Sequence, residues 1–177
     1  VNYCGVTKLI QGRGNGTFGP SDPVTTAAAA KMLLTAVGYD AEARGYTGAN
    51  WDKNVLSDAA IVGLLDDYNY TTIGNAPRQW VAVMFANALT NAYTYKTMAA
   101  LPYNGLITSV NVGGNRDNIV TFGEKYYDLK EFTGYLFATD GAYIDGGATA
   151  ADGRLVFNDG DKELVVKSGA LGYMDLG

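Results

Sequence analysis

The chain has 177 residues, no histidine and one cysteine. Without histidine there is no Ser-His-Asp triad, no Cys-His dyad and no imidazole metal ligand, and a single cysteine forms neither an internal disulfide nor a cysteine-rich zinc site. Basic residues number 13 against 18 acidic ones, a net charge of −5, so bulk electrostatics give no footing for a nucleic-acid partner. In chain order, residues Val1–Ile10 carry a short helical pattern in which Cys4 reads as a small buried hydrophobe. The glycine-rich loop Gly12–Pro20 follows. Thr25–Val37 is the clearest helix: Ala29, Met32, Leu33 and Ala36 recur at helical spacing, Thr25 is a good N-cap, and Gly38 stands where a C-cap belongs. A third helical pattern covers Asn54–Leu65. A fourth runs from Pro77 to Ala92, with Trp80, Met84, Ala88, Val81, Phe85 and Leu89 marking its apolar side.

Beyond residue 100 the period changes to two. Strands are predicted over Leu106–Val112, Asn118–Phe122, Lys125–Leu129, Thr133–Ala138, Arg154–Phe157 and Glu163–Val166. Between them lie Gly113-Gly114-Asn115, Asp140-Gly141, Asp145-Gly146-Gly147, Asp152-Gly153 and Asn158-Asp159-Gly160, the residue types that tight turns need. Charge divides at the same place. Residues 1–100 hold 7 basic and 7 acidic residues, and residues 101–177 hold 6 and 11, so the second part carries the whole net charge. The expected class is therefore α+β: a helical domain over 1–98, built of units at about 1–45 and 46–98, then a small antiparallel β module over 99–177. The start at Val1 and the end at Gly177 are read as cuts from a longer protein, with the β module truncated. The apolar run Ala27–Val37 is about half of the ~20 residues that cross a bilayer, so no membrane span is expected.

The helical part repeats itself. Tyr3–Gly12 aligns with Asp58–Asp67, bringing Cys4 onto Ala59, Val6 onto Ile61 and Leu9-Ile10 onto Leu64-Leu65. Val24–Ala28 aligns with Ala76–Trp80. Each unit is a short helix, a glycine-containing loop and a longer capped helix. The phrases Leu9-Ile10-Gln11-Gly12, Asn15–Thr25 and Ala30-Lys31-Met32-Leu33-Leu34 resemble the S-layer homology (SLH) family. Its repeat has a "G-I/L-I-x-G" phrase, a "G-x-F-x-P-x-x-x-[VI]-T-R-A-E" loop and an "A-K-M-L" helix. Trp51 and Pro77-Arg78-Gln79 look like a more divergent second repeat. The resemblance covers residues 1 to about 95.

What the resemblance implies is a non-catalytic anchor on the surface of a Gram-positive cell. SLH modules usually come as three repeats in a three-pronged helical prism and bind secondary cell-wall polysaccharide, often pyruvylated, in the grooves between prongs. The arginine of the T-R-A-E phrase is credited with holding the anionic group, a role that suits a guanidinium fork at a helix start. In the first unit that position is Thr26, and the glutamate position is Ala28. In the second unit Arg78 keeps the arginine, while Trp80 replaces the glutamate. The candidate carbohydrate-contacting residues are accordingly Arg78, Trp51, Thr26, Asn15 and Arg13, with Trp51 offering a ring for a sugar face. No catalytic residue, cofactor or metal is expected. Partners are wall polysaccharide, a neighbouring repeat or a second copy of the chain, and the setting is extracellular, at the cell wall or S-layer. The alternative is a self-assembling surface-layer or fibre segment whose degenerate repeats pack on other domains or chains without binding sugar. A glycosidase would need two carboxylates facing a cleft, and no such pair stands out among the 18 acids.

Overall fold

In a computed structural model of the chain, the residues described are 2–6, 9–10, 12, 17–95, 106–108, 119–142, 149–151 and 153–167. The element order is α1 (Asn2–Val6), α2 (Thr26–Val37), α3 (Trp51–Ile61), α4 (Arg78–Thr90), β1 (Tyr93–Tyr95), β2 (Ile119–Thr121), α5 (Phe122–Tyr127), β3 (Tyr135–Thr139), β4 (Arg154–Asn158) and β5 (Glu163–Lys167). Helices and antiparallel sheets coexist, so the protein is α+β.

Local chemistry fixes α2 at both ends. The Thr25 hydroxyl accepts from the Ala28 amide at 3.1 Å, satisfying a first-turn donor. Gly38 adopts φ +113° and donates to the carbonyls of Leu34 and Thr35, a left-handed stop that a side chain would strain. Because α2 is rich in alanine, its neighbours approach closely: Ala29 and Ala30 are buried, and α2 packs on both α3 and α4. Leu34, Val37, Val55, Ala59, Leu64, Met84 and Ala88 complete the helical core together with Tyr39 and Tyr46. The stretches leading into α2 and α4, which the sequence aligns, meet in an antiparallel bridge between Thr25 and Asn75. The Ala76 amide donates to Val24 and the Thr26 amide to Gly74.

Several expectations change. The compact units divide between Leu129 and Lys130, not near residue 98. The reason is pairing: β1 runs antiparallel to β2, the Phe122 amide donates to Ala92 at 2.9 Å, and α5 packs on α4. Ile107, from the segment expected as a long strand, forms a parallel bridge with Tyr39 and is buried in the helical core; Ser109–Val112 lie outside the described residues.

Lys125–Leu129, expected as a strand, is mostly the helix α5. Thr121 caps it by accepting from the Glu124 amide, and Asp128 ends it at φ +51°. That Thr-x-x-Glu start, together with an acid in the first turn, outweighs the β preference of Tyr126 and Tyr127. On α4 the apolar side is narrower than its pattern predicts. Met84 and Ala88 are buried, Trp80, Val81 and Leu89 partly so, whereas Phe85 is 56% exposed. Pro77 is the residue before the helix rather than inside its first turn. Cys4 is half-buried.

The second unit is a β3-β4-β5 antiparallel meander. Its strands fall where alternation predicts them. The β4–β5 turn is held by the Asp159 carboxylate, which accepts from the amides of Asp161 and Lys162, and by Gly160 at φ +105°. Those amides draw the Asp159 pKa below its ordinary value.

Candidate functional site

Three stretches far apart in sequence enclose a groove of about 630 Å³ in the first unit. One wall comes from the segment after α1 and the loop before α2: Leu9, Ile10, Phe18, Pro20 and Pro23. A second is the α2 stripe Ala28, Lys31 and Met32, three residues that helical spacing stacks on one face. The third is the 46–48 turn with Trp51, the first residue of α3. The walls are mostly apolar, and among the lining side chains Lys31 and Asp22 carry charge.

Lys31 and Trp51 meet inside the groove. The Lys31 Nζ stands 5.4 Å from the centre of the Trp51 ring, within cation–π range. Burial pushes the Lys31 pKa down, because the charged form loses water. An ammonium part-way out of water, beside an aromatic face and in a mostly apolar trough, is a good receiver for an anion carried on an apolar-faced ring.

Next to the turn lies an ion pair between the half-buried Arg44 and the buried Asp58. Arg44 grips Asp58 with both prongs, Nε to Oδ2 at 2.8 Å and Nη2 to Oδ1 at 2.7 Å. The Tyr46 hydroxyl donates to the same Oδ2 at 2.8 Å. Asp58 is buried, and these three donors satisfy its carboxylate. The hydrogen bond to Asp58 raises the Arg44 pKa. Burial, and then the Asp58 hydrogen bond and charge, push the Tyr46 pKa up. The network ties the Arg44–Tyr46 turn to α3 and thereby sets one wall of the groove.

The residues singled out in the sequence part company here. Trp51 lines the groove. Thr26 does not: it is fully buried, its hydroxyl is hydrogen-bonded to that of Tyr68 at 2.9 Å, and its amide is engaged by Gly74. Arg78 opens α4 as an exposed residue and is not among the groove's lining residues. Arg13 and Asn15 lie outside the described residues. Lys31 was missed. Its signal was present as the single charge in the run Thr26–Val37, a cation that an otherwise apolar helix does not need for packing.

Among the described residues no cluster of three or more Cys, Asp or Glu side chains is arranged to hold a metal, and no helix is long and apolar enough to cross a membrane. Asp22 is the one acid among the lining residues, so the described walls hold no carboxylate pair for glycoside hydrolysis. Comparison with protein-family models, with curated proteins and with solved structures gives no match.

Proposed function

We propose that the protein is a non-catalytic, extracellular surface segment that holds an acidic cell-wall polysaccharide in the groove between α2, the 46–48 turn and the loop before α2. The observation that carries this reading is the Lys31–Trp51 pair at 5.4 Å in a mostly apolar trough. A sugar ring has an apolar C–H face that packs on an indole. A carboxylate on that ring, such as a pyruvyl ketal supplies, would reach the Lys31 ammonium, where low water content strengthens the attraction. The SLH-like phrases around residues 9–34 support the same ligand class. In this reading Lys31 takes the place of the arginine that the family's pattern would put at position 26. Arg78 is an accessory contact at most, since it stands on α4 outside the groove.

The test is calorimetric titration with purified, pyruvylated wall polysaccharide. Trp51→Ala and Lys31→Gln should each weaken binding about tenfold or more, with circular dichroism confirming an unchanged fold. Removing the pyruvyl groups should mimic Lys31→Gln. Wild-type affinity in both variants would overturn the groove assignment. Equal binding by Arg78→Ala and wild type is expected. One observation favours the second reading, a self-assembling segment that binds no sugar: the first unit's arginine position is Thr26, sealed in the core. Absence of binding by the wild type would point there.

A further inference from the structure

The geometry points to β5 as a pairing edge: we propose that two copies of the chain join antiparallel along Glu163–Lys167, making one six-stranded sheet about a two-fold axis through Val165. This does not rest on the polysaccharide reading.

β3-β4-β5 is a sheet whose two outer strands differ. The β3–β4 register breaks between Leu136 and Ala138, a bulge that blunts β3 as a template. The β4–β5 register runs unbroken through five pairs, from Arg154↔Lys167 to Asn158↔Glu163. Among the described residues β5 is therefore the regular outer strand. Natural edges are guarded by a central charge, a proline or a bulge, and Leu164, Val165 and Val166 have none of these. Leu164 and Val165 are exposed.

The order Glu-Leu-Val-Val-Lys is complementary to itself in one direction only. Antiparallel about Val165, Glu163 faces Lys167 of the second copy, Leu164 faces Val166, and Val165 faces Val165. Parallel and in register, Glu would face Glu and Lys would face Lys, which is unfavourable. Within the chain, Lys167 lies opposite Arg154, a like-charge pair. The antiparallel partner sets Glu163 on the free side of Lys167, in the same row and on the same face, where it offsets that repulsion.

Each row also continues across the join. Directly opposed residues share a face, so Leu136, Phe157 and Leu164 form an apolar row. That row would run on into Val166 and Leu155 of the second copy. Val156 and Val165 share the other face, with Ala138, and Val165 would meet its own equivalent across the axis. The three-stranded sheet buries little by itself: Ala138 is its only buried residue among those described. Sheets of so few strands gain stability by adding strands or cover.

The experiment is sedimentation equilibrium of the full chain, wild type and three variants. The wild type should form a dimer that does not grow further with concentration. Glu163→Lys and Lys167→Glu each create two like-charge pairs and should weaken the dimer about tenfold. The double variant Glu163→Lys/Lys167→Glu restores both opposite-charge pairs and should restore the dimer. That recovery separates pairing from misfolding. Four results would overturn the proposal: a wild type monomeric at every concentration, oligomers growing without limit through β3, single variants that dimerise like wild type, or a double variant that stays monomeric while folded.

Discussion

Truncating the Arg44–Asp58–Tyr46 network gives an ordered set of stability losses. In Arg44→Ala the Asp58 carboxylate, 5% exposed, loses both guanidinium hydrogen bonds and keeps the Tyr46 hydroxyl. An uncompensated buried charge costs about 3–5 kcal/mol. The shortened side chain admits some water to the carboxylate, so the expected loss is about 3 kcal/mol, at the low end. In Asp58→Ala the buried Tyr46 hydroxyl loses its acceptor, worth about 1–3 kcal/mol, whereas the Arg44 side chain is 25% exposed and can turn to solvent. About 2 kcal/mol follows. In Tyr46→Phe the bidentate pair survives and one hydrogen bond to a charged group is lost, about 1–1.5 kcal/mol.

Urea denaturation with a constant slope is the assay, since an unchanged m keeps the midpoints comparable. Arg44→Ala should lose most and Tyr46→Phe least. The reverse order would refute the claim that the Asp58 charge dominates the site. The alkaline limb gives a second check. Tyr46 has its pKa raised in the fold, against about 10 in the unfolded chain. Above that pH the unfolded state sheds this proton first, so the folded state binds more protons and stability falls as pH rises. The contribution is whole below pH ~10 and declines above it by up to about 1.4 kcal/mol per pH unit. Tyr46→Phe lacks this slope, so its stability curve should approach the wild-type curve as pH climbs past ~10. Parallel curves would refute the assigned shift.

Other outcomes follow from packing and chain geometry. Leu34→Ala, at a fully buried position on α2, should cost about 2–5 kcal/mol in urea denaturation. Gly38→Ala should cost about 1–2 kcal/mol in the same assay, from φ +113° rather than from crowding; a Cβ there would meet only Ile107 Cδ1, at 4.0 Å. Gly123→Ala should lower Tm, with about 1–3 kcal/mol lost, because its Cβ would sit 2.7 Å from the Leu89 carbonyl oxygen. Lys31→Met should lower polysaccharide affinity in calorimetry with the circular-dichroism spectrum unchanged. Burial depresses the Lys31 pKa, so this cation costs stability at neutral pH and that cost is relieved as pH rises towards ~10.4.

The sequence was most legible where one residue type settles a backbone conformation. Thr25 and Gly38 bracket α2 because an N-cap hydroxyl and a left-handed glycine act locally. β4 and β5 follow alternation, and their turn follows Asn-Asp-Gly chemistry. Legibility failed where distant packing decides. Three residues, Tyr93–Tyr95, become a strand only because Ile119–Thr121 comes alongside. Phe85 looks like a core residue by period, yet the faces of α4 that pack are those of Met84 and Ala88. The domain boundary moved for the same reason: β2 and α5 read as part of a β module but complete the helical unit.

The groove extends that lesson to function. Trp51 stands out in the sequence as a ring that could pack on a sugar face, and Thr26 as the occupant of a motif position, but neither property says which way a side chain faces. Helical spacing decides it once one packed residue is known. With Ala27, Ala30 and Leu34 buried, the stripe of Ala28, Lys31 and Met32 must lie to one side of the core face. That side is where α3 begins, because α3 packs on α2 and starts at Trp51. Thr26, three residues before Ala29 and four before Ala30, falls on the core face with them and is held there by Tyr68. The same arithmetic that removes Thr26 from solvent therefore delivers Lys31 to the groove. A motif position emptied of its charge need not mean a lost site, since a cation five residues along the same helix can serve a neighbouring groove.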